Sequence, residues 1–293
     1  MITYLCEDTP EGIFTAVYDA WAAKIPDDRL HLMTEQEMNF SLFTEYRQVE
    51  TDQEKAVKVA RSIRQKIANE AYIQVYYASL SNEEDKVDAI YHFLKQGFRY
   101  GARVLDMHGL VQVCRVYELY RSVSNENQKY RGFVRFAEIG RQGRKILLAR
   151  IRPKNQLLPL LGQHFSDRFG QENFAIIDDE RAMGYFHGET FLSKVDMAQI
   201  DRLWQGQRDT AYEELFQTFF RSIAIKEREN YVCQRTMCPI RYRDYMVEFS
   251  GEKADEETQM AGGRLQIVEN RTESMGTGTK QMGSHKIQGE HKA

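Results

Sequence analysis

Apolar side chains recur at helical spacing through the first 130 residues. Residues 2–6 have the composition of a short strand, and Thr9 and Pro10 then supply an N-cap and a first-turn proline, which begin many α-helices. Apolar residues from Ile13 to Trp21 follow at the spacing of one buried helical face. An aromatic stripe of this kind belongs to a core more often than to a ligand pocket, so the segment predicts a core helix.

Two capping boxes predict the helices that follow. Thr51 with Glu54, and Ser81 with Glu84, have the spacing at which two side chains bond the backbone of a first helical turn. A further amphipathic helix is predicted over residues 105–125. Its buried face is expected to consist of Leu110, Val113, Cys114 and Tyr117. Residues 1–130 are therefore predicted to be mainly helical.

The hydrophobic period changes at Gly132. Residues 133–139 and 145–152 are rich in β-forming side chains, and the turn at 140–143 contains two glycines. This arrangement predicts an antiparallel hairpin whose second strand ends at Pro153.

Helical spacing returns over residues 155–169. Pro159 and Gly162 argue against a straight helix there, and Gly170 is a C-terminal stop signal. Two short apolar strands follow, the first of which ends in two aspartates. Residues 131–188 are thus predicted to form a unit of β-β-α-β-β type.

The remaining residues have helical patterning and then lose it. One or two helices are predicted over residues 196–230, and the chain then closes with residues 231–249. Residues 251–293 are polar and are predicted to be a disordered tail. The predicted fold class is α+β, with a helical N-terminal half packed on a small antiparallel sheet of β-β-α-β-β type and C-terminal helices after it. Residues 1–250 are predicted to be one globular domain, with 1–130 mainly helical and 131–250 carrying the candidate site.

Composition narrows the classes of protein that fit. The chain has 40 basic and 43 acidic residues and a net charge of −3, which excludes a basic field over the whole protein. Residues 131–250 nevertheless hold 19 basic and 16 acidic residues, so this part is the more basic one. The four cysteines are scattered without a CxxC pair, and the chain contains neither a long apolar run nor a signal-peptide pattern at its start. We therefore expect a cytoplasmic protein without a membrane partner, and no cofactor is evident.

His164 and Arg168 are the first candidates for chemistry. They are four residues apart, so on a helix they lie on one face, at the edge of an apolar stripe. One interpretation is a histidine bonded to a carbonyl group beside an arginine that covers apolar surface. The other is a cationic pair that faces a phosphate or a polar substrate.

Asp178, Asp179 and Arg181 follow a short apolar strand. Carboxylates at strand ends are often catalytic or metal-binding, but an Asp–Arg bridge that closes a turn is about equally compatible with this pattern. Neighbouring residues of a strand point to opposite faces, so we expect only one of the two aspartates to face a given site. No spaced cluster of His, Asp and Glu identifies a metal site.

The segment from Arg235 to Arg243 alternates basic and aromatic side chains. This composition suits contacts with a single nucleic-acid strand, and it is also typical of a solvated turn. The chain has no P-loop, dinucleotide-binding GxGxxG, GxSxG, HExxH or kinase signature.

Several spaced motifs together resemble a bacterial family of predicted DNA metabolism proteins built on a domain of unknown function. The start of the chain, YLCEDTPEGIFTAVYDAW, is also similar to the start of that family. The resemblance covers about residues 1–250. The motifs are RGFxRF at Arg131–Phe136, xxPLLxxHFxxRF at Leu157–Phe169, IxDxxR at Ile176–Arg181, ERxN at Glu227–Asn230 and PxRYRxxMVEF at Pro239–Phe249.

This resemblance implies a partner. Members are similar to chains found beside a radical SAM protein thought to act on DNA, and longer relatives carry a uracil-DNA glycosylase-like domain at the C-terminal end. Here only the polar tail follows Phe249, so base excision is not assigned to this chain. A CxxxCxxC cluster is also missing, so radical chemistry would belong to the partner.

Seven positions within the matched motifs form the candidate site. His164, Asp178 and Glu248 are the candidate acid and base residues. Arg168, Arg181 and Arg241 are candidates for phosphate binding, and the aromatic ring of Tyr242 for stacking on a base. The site requires Pro239–Phe249 to fold back against the β-β-α-β-β unit.

Three hypotheses follow. The leading one is a DNA metabolism or repair protein that binds nucleic acid and works with a radical SAM partner, with its own catalysis undecided. The second is a hydrolase or nucleotide-modifying enzyme that uses His164 and Asp178. The third is a non-catalytic adaptor whose helical first half docks the partner enzyme.

Overall fold

The structure is a computed structural model. It describes residues 1–35, 43–141, 144–187, 191–206, 211–225, 228 and 230–249. The α-helices of this part are α1 (Pro10–Ala23), α2 (Gln53–Lys66), α3 (Asn69–Ser79), α4 (Lys86–Tyr100), α5 (Val111–Phe133), α6 (Leu158–Phe169), α7 (Met197–Gly206), α8 (Ala211–Ile223) and α9 (Tyr231–Met237). The strands are β1 (Ile2–Cys6), β2 (Leu30–Thr34), β3 (Glu45–Val49), β4 (Phe136–Arg141), β5 (Arg144–Ile151), β6 (Phe174–Asp178), β7 (Met183–Phe186) and β8 (Phe191–Lys194). The predicted α+β class is confirmed.

The first half of the chain contains a sheet that the sequence did not predict. β1 pairs in parallel with both β2 and β3, which gives the order β2-β1-β3. Both added strands are only five residues long, and most side chains of β3 are polar and at least partly exposed at the edge of the sheet. Neither strand therefore shows the apolar run of a buried strand. The description of residues 1–130 as mainly helical is corrected to helices packed on a small parallel sheet.

The second sheet has the order β4-β5-β6-β7-β8. β5 and β6 are parallel, and the other neighbouring pairs are antiparallel. The predicted β-β-α-β-β order is present, but the sheet is mixed rather than antiparallel and has a fifth strand. The reason is α6, because a helix that returns the chain between two neighbouring strands makes those strands parallel.

The proline and the glycines of α6 fit a regular helix. Pro159 lies in the first turn. Backbone N–H groups there make no hydrogen bond within the helix, so the missing N–H group of proline costs nothing. Gly162 is the contact point for the ring of Tyr185 on β7. Gly170 has a φ angle of 60° and ends the helix as predicted.

Several predicted helix details are shifted. The N-cap of α2 is Asp52 rather than Thr51, since its carboxylate accepts the first-turn N–H bonds. α4 begins at Lys86, five residues after Ser81. α5 is longer than predicted, and Tyr117 is exposed rather than buried. The buried side of α5 includes Val113, Val116, Leu119, Val123 and Tyr130.

A buried polar contact joins the two halves of the chain. Lys86 is 1% exposed, and its ammonium group donates to the Asp8 carboxylate and, at 2.6 Å, to the Ser81 carbonyl. Gln156 Nε2 donates to the other Asp8 carboxylate oxygen at 2.8 Å. The end of β1 is thereby tied to α4 and to the segment that leads into α6.

The C-terminal segment folds back on the second sheet, which confirms the predicted closure. Tyr242, Met246 and Phe249 are buried in the same core as Ile151 of β5 and Phe174 of β6. Within the predicted ERxN motif, Glu227 and Glu229 lie outside the described residues, as do the predicted turn residues 142–143 and the predicted disordered tail 251–293. Among the helices that the structure describes, none is long and apolar enough to cross a membrane.

Candidate functional site

The carboxyl ends of β5 and β6 lie side by side, because Ile151 pairs with Asp178 in the parallel ladder. Asp178 is fully buried and accepts a bond of 2.9 Å from Arg181 Nη1 and one of 3.1 Å from the Glu180 N–H. Burial raises the pKa of Asp178, and the charge of Arg181 opposes this shift. This geometry is the Asp–Arg bridge of a closed turn.

Arg181 is held on several sides. Besides Asp178, its guanidinium donates to the carbonyl oxygens of Pro153 at 3.2 Å and Lys154 at 2.5 Å. A phosphate that bound here would compete with these bonds. The assignment of Asp178 as an acid or base and of Arg181 as a phosphate ligand stays a prediction.

Asp179 points to the opposite side of the sheet, as predicted for neighbouring strand residues. Arg150 Nε and Nη2 donate to its two carboxylate oxygens at 3.1 and 2.9 Å, and the Tyr245 hydroxyl donates to the same group. Burial and this contact raise the pKa of Tyr245 to about 12. Sequence reasoning missed Arg150 and Tyr245. The available signal was an arginine within the apolar run Ile146–Ile151 of β5, where a charge needs a buried partner.

Tyr242 lies in the core rather than on the surface. Its side chain is buried against Tyr130 and Phe133, with ring centroids 5.0 and 5.5 Å apart. Arg241 lies over the ring at 4.7 Å and donates to the hydroxyl at 2.5 Å. Only 4% of Tyr242 is exposed, so in this arrangement the residue packs the core, and its stacking function stays a prediction.

Glu126 is a further residue that sequence reasoning missed. It is 4% exposed and accepts bonds from the Lys154 N–H, the Asn155 N–H and the Asn155 amide at 2.7–2.9 Å. Arg241 Nη2 lies 3.5 Å from the same carboxylate. The signal was its position between Val123 and Tyr130 on the buried side of α5. These bonds let Glu126 hold the loop after β5 in place. The Arg241 side chain remains 55% exposed despite its contact with Glu126.

A shallow cleft that is open to solvent lies between α5, the end of β5 and the segment Ile240–Tyr245. Arg150 and Arg152 line it, but both are paired with carboxylates. Arg150 bonds Asp179 and Asp201, and Arg152 lies 3.4 Å from Asp244. These two arginines are therefore largely compensated, whereas Arg241, which also lines the cleft, keeps more than half of its side chain exposed.

Arg131, His164 and Arg168 form a cationic cluster where α5 packs against α6. Arg131 Nη2 lies 2.8 Å from His164 Nδ1. Since a guanidinium can only donate, Nδ1 is the acceptor and the ring proton of the neutral histidine is on Nε2. Partial burial, and then the charges of Arg131 and Arg168, lower the pKa of His164 below its ordinary value. The sequence placed His164 beside Arg168 correctly and missed Arg131 as its partner.

The three candidate acid and base residues have separate partners. Glu248 is mostly buried and accepts a bond of 2.6 Å from Arg135. His164 contacts Arg131, and Asp178 contacts Arg181. Among the described residues, no hydrogen bond or ion pair joins any two of the three candidates. α6 also begins on the side of the sheet where β5 ends and runs towards the start of β6. His164 lies about 9 Å along this helix from its first residue, so it is separated from Asp178 at the end of β6.

The fold and these sites define a mixed α+β protein with a central β-α-β unit and a basic helical surface. A model of a protein family described as a domain of unknown function, DUF4130, matches residues 84–248. This is more than half of the chain, and the chain belongs to that family. The matched range contains all seven candidate site residues and Arg131. Comparison with curated proteins and with solved structures gives no match.

No group of His, Cys, Asp and Glu side chains with the geometry of a metal site occurs within the described residues.

Proposed function

We propose that the protein is a DNA metabolism or repair protein that binds nucleic acid through the cationic cluster of Arg131, His164 and Arg168. The observation that carries the proposal is the composition of this cluster. Among the described residues, its hydrogen bonds and ion pairs include no carboxylate, whereas Arg150, Arg152 and Arg181 all have one. The nearby carboxylate of Asp167 offsets these charges only in part, since the pKa of His164 is still lowered, so a group of two arginines and a histidine here is a favourable place for a phosphate.

The chemistry of the three groups suits a phosphodiester. Each guanidinium can donate two parallel bonds to phosphate oxygens. The Nε2–H group of neutral His164 supplies one more hydrogen-bond donor. Residues 131–250 are also the more basic part of the chain, which supports attraction of a polyanion.

The proposed partner is a radical SAM protein, and its support is the family resemblance of the motifs between Arg131 and Phe249. The catalysis of the chain itself is left open. The separation of His164 from Asp178 gives no observation in favour of a hydrolase that uses this pair.

Replacing Arg131 and Arg168 together by alanine is expected to weaken DNA binding about tenfold or more at moderate salt, because two phosphate contacts are lost. The slope of log K against log salt should fall by about 1.4 for a single strand and about 1.8 for a duplex. Fluorescence anisotropy over a salt series measures both quantities.

The matched control replaces Arg61 and Arg103 by alanine. Both are exposed arginines of the first half, so the change in net charge is identical. This variant should bind DNA like the wild type. Equal binding by the Arg131/Arg168 variant, with the fold intact by circular dichroism, would contradict the proposal.

DNA affinity is expected to increase as the pH falls from about 8 to about 6. The pKa of His164 in the free protein lies below its ordinary value, and a bound phosphate that draws Arg131 away from Nδ1 favours the charged ring and raises that pKa. Between the two pKa values binding takes up a proton, so acid favours the complex. His164→Gln should flatten this dependence. An unchanged pH profile in that variant would remove His164 from the binding surface.

A further inference from the structure

The exposed side of the last turns of α5 carries no acidic side chain. Arg121, Asn125, Gln128 and Gly132 are exposed and recur at intervals of three and four residues, which places them on one ridge. The only acidic residue between Arg121 and Arg135 is Glu126, which is buried. The ridge therefore presents amides and positive charge to the solvent.

Basic groups flank this ridge on both sides. Tyr130 points into the core, so its neighbours Lys129 and Arg131 project about 100° to either side of it. On one flank, Arg131 belongs to the cationic cluster. On the other flank, Lys129 Nζ lies 5.5 Å from the centroid of the Tyr242 ring, and the Arg241 guanidinium lies 4.7 Å from the same ring. Lys129 and Arg241 thus form a second basic group.

Arg241 can still take a ligand. Its contact with Glu126 is long, at 3.5 Å, and more than half of its side chain is exposed. A guanidinium has five N–H donors, and the bond to the Tyr242 hydroxyl uses one of them. This bond and the contact with Glu126 are both made by Nη2, so the N–H groups of Nε and Nη1 are available to phosphate oxygens.

We infer that this surface takes a single strand of nucleic acid, which crosses α5 from the cationic cluster to the second basic group. The inference rests on the proposed function and specifies its substrate class. A helix with its side chains is about 10–12 Å across, so a ligand that reaches both flanks must bend over a narrow convex ridge. A duplex stays straight over about 150 base pairs, whereas a single strand is flexible.

The ridge itself suits unpaired bases. Asn125 and Gln128 each offer a donor and an acceptor, which can pair with the exposed base edges of a single strand. In a duplex those edges face the complementary strand. The phosphates would lie on the two basic flanks, and the bases between them.

The test compares a single-stranded oligonucleotide with a duplex of the same sequence, at matched salt, on the full chain. The wild type is expected to bind the single strand about tenfold more tightly. Lys129→Ala with Arg241→Ala should weaken single-strand binding about as much as the Arg131/Arg168 variant does, with a further decrease of the salt slope by about 1.4. The Arg61/Arg103 variant again serves as the charge-matched control.

Gln128→Glu is a second variant that touches no buried group. It puts one negative charge on the ridge and should weaken single-strand binding about tenfold, whereas Gln128→Ala removes one base contact without adding a charge and should weaken it only about threefold. Equal affinity for duplex and single strand would overturn the inference, and so would a neutral effect of Gln128→Glu. In both cases the cationic cluster remains the binding site if Arg131→Ala with Arg168→Ala still weakens binding. The absence of binding to either nucleic acid would overturn the proposed function itself.

Discussion

Replacing Lys86 by methionine is expected to lower the free energy of unfolding by about 3–5 kcal/mol. The Lys86 side chain is 1% exposed, and methionine fills a similar volume without the charge. The Asp8 carboxylate would then be left mostly buried, and among the described residues the amide of Gln156 would be its one remaining side-chain donor. An uncompensated buried charge is among the most destabilising changes a substitution can make. Urea denaturation followed by circular dichroism measures the loss.

The control for this prediction is the double variant that also replaces Asp8 by asparagine. It removes both charges and keeps an amide at the Gln156 contact, so it should be more stable than the single variant by about 1–3 kcal/mol. A single variant that loses less than about 1 kcal/mol would show that the Lys86–Asp8 pair contributes little to the stability of the fold.

Replacing Gly162 by alanine is expected to destabilise the protein by about 1–3 kcal/mol, although alanine favours a helix. The added Cβ would lie within 2.7 Å of Cγ in the Tyr185 ring, with two further ring atoms closer still. The ring cannot easily move, because it is buried and its hydroxyl bonds Ser166 on the same helix at 2.9 Å. Either α6 or β7 must shift, and thermal or urea unfolding reports the cost.

Gly132→Ala is the matched control, because Gly132 is also helical and a Cβ there meets nothing within 4 Å. It should be neutral or stabilising by up to about 1 kcal/mol. In a Tyr185→Ala background, Gly162→Ala should cost much less than in the wild type. If it costs the same there, the ring contact is not the cause.

The sequence predicted what local patterns determine. The first helix, the end of α6 at Gly170 and the paired position of His164 and Arg168 all follow from caps, glycines and helical spacing. The strands β2 and β3 were missed, since they are short and β3 is polar, and only their pairing with β1 makes them strands.

The candidate site depended more on contacts between distant residues. Nothing local indicates that Arg131 meets His164, 33 positions later in the chain, or that Arg150 meets Asp179. The alternation of basic and aromatic residues around Tyr242 indicated an exposed surface. In the structure the ring of Tyr242 is instead buried against Tyr130 and Phe133. The spacing of residues in the sequence predicts which side chains share one face of a helix. Which other element packs against that face depends on the tertiary fold.

The Lys86–Asp8 contact also crosses the boundary of the family match. Lys86 lies two residues inside the matched range 84–248, and its counter-ion Asp8 lies outside it. A relative made of the matched region alone would bury this ammonium group without a carboxylate. Such a relative should therefore carry an uncharged side chain at the position of Lys86, or take an acidic residue from elsewhere. The residue at that single position thus becomes a marker of whether a relative has an N-terminal unit like this one.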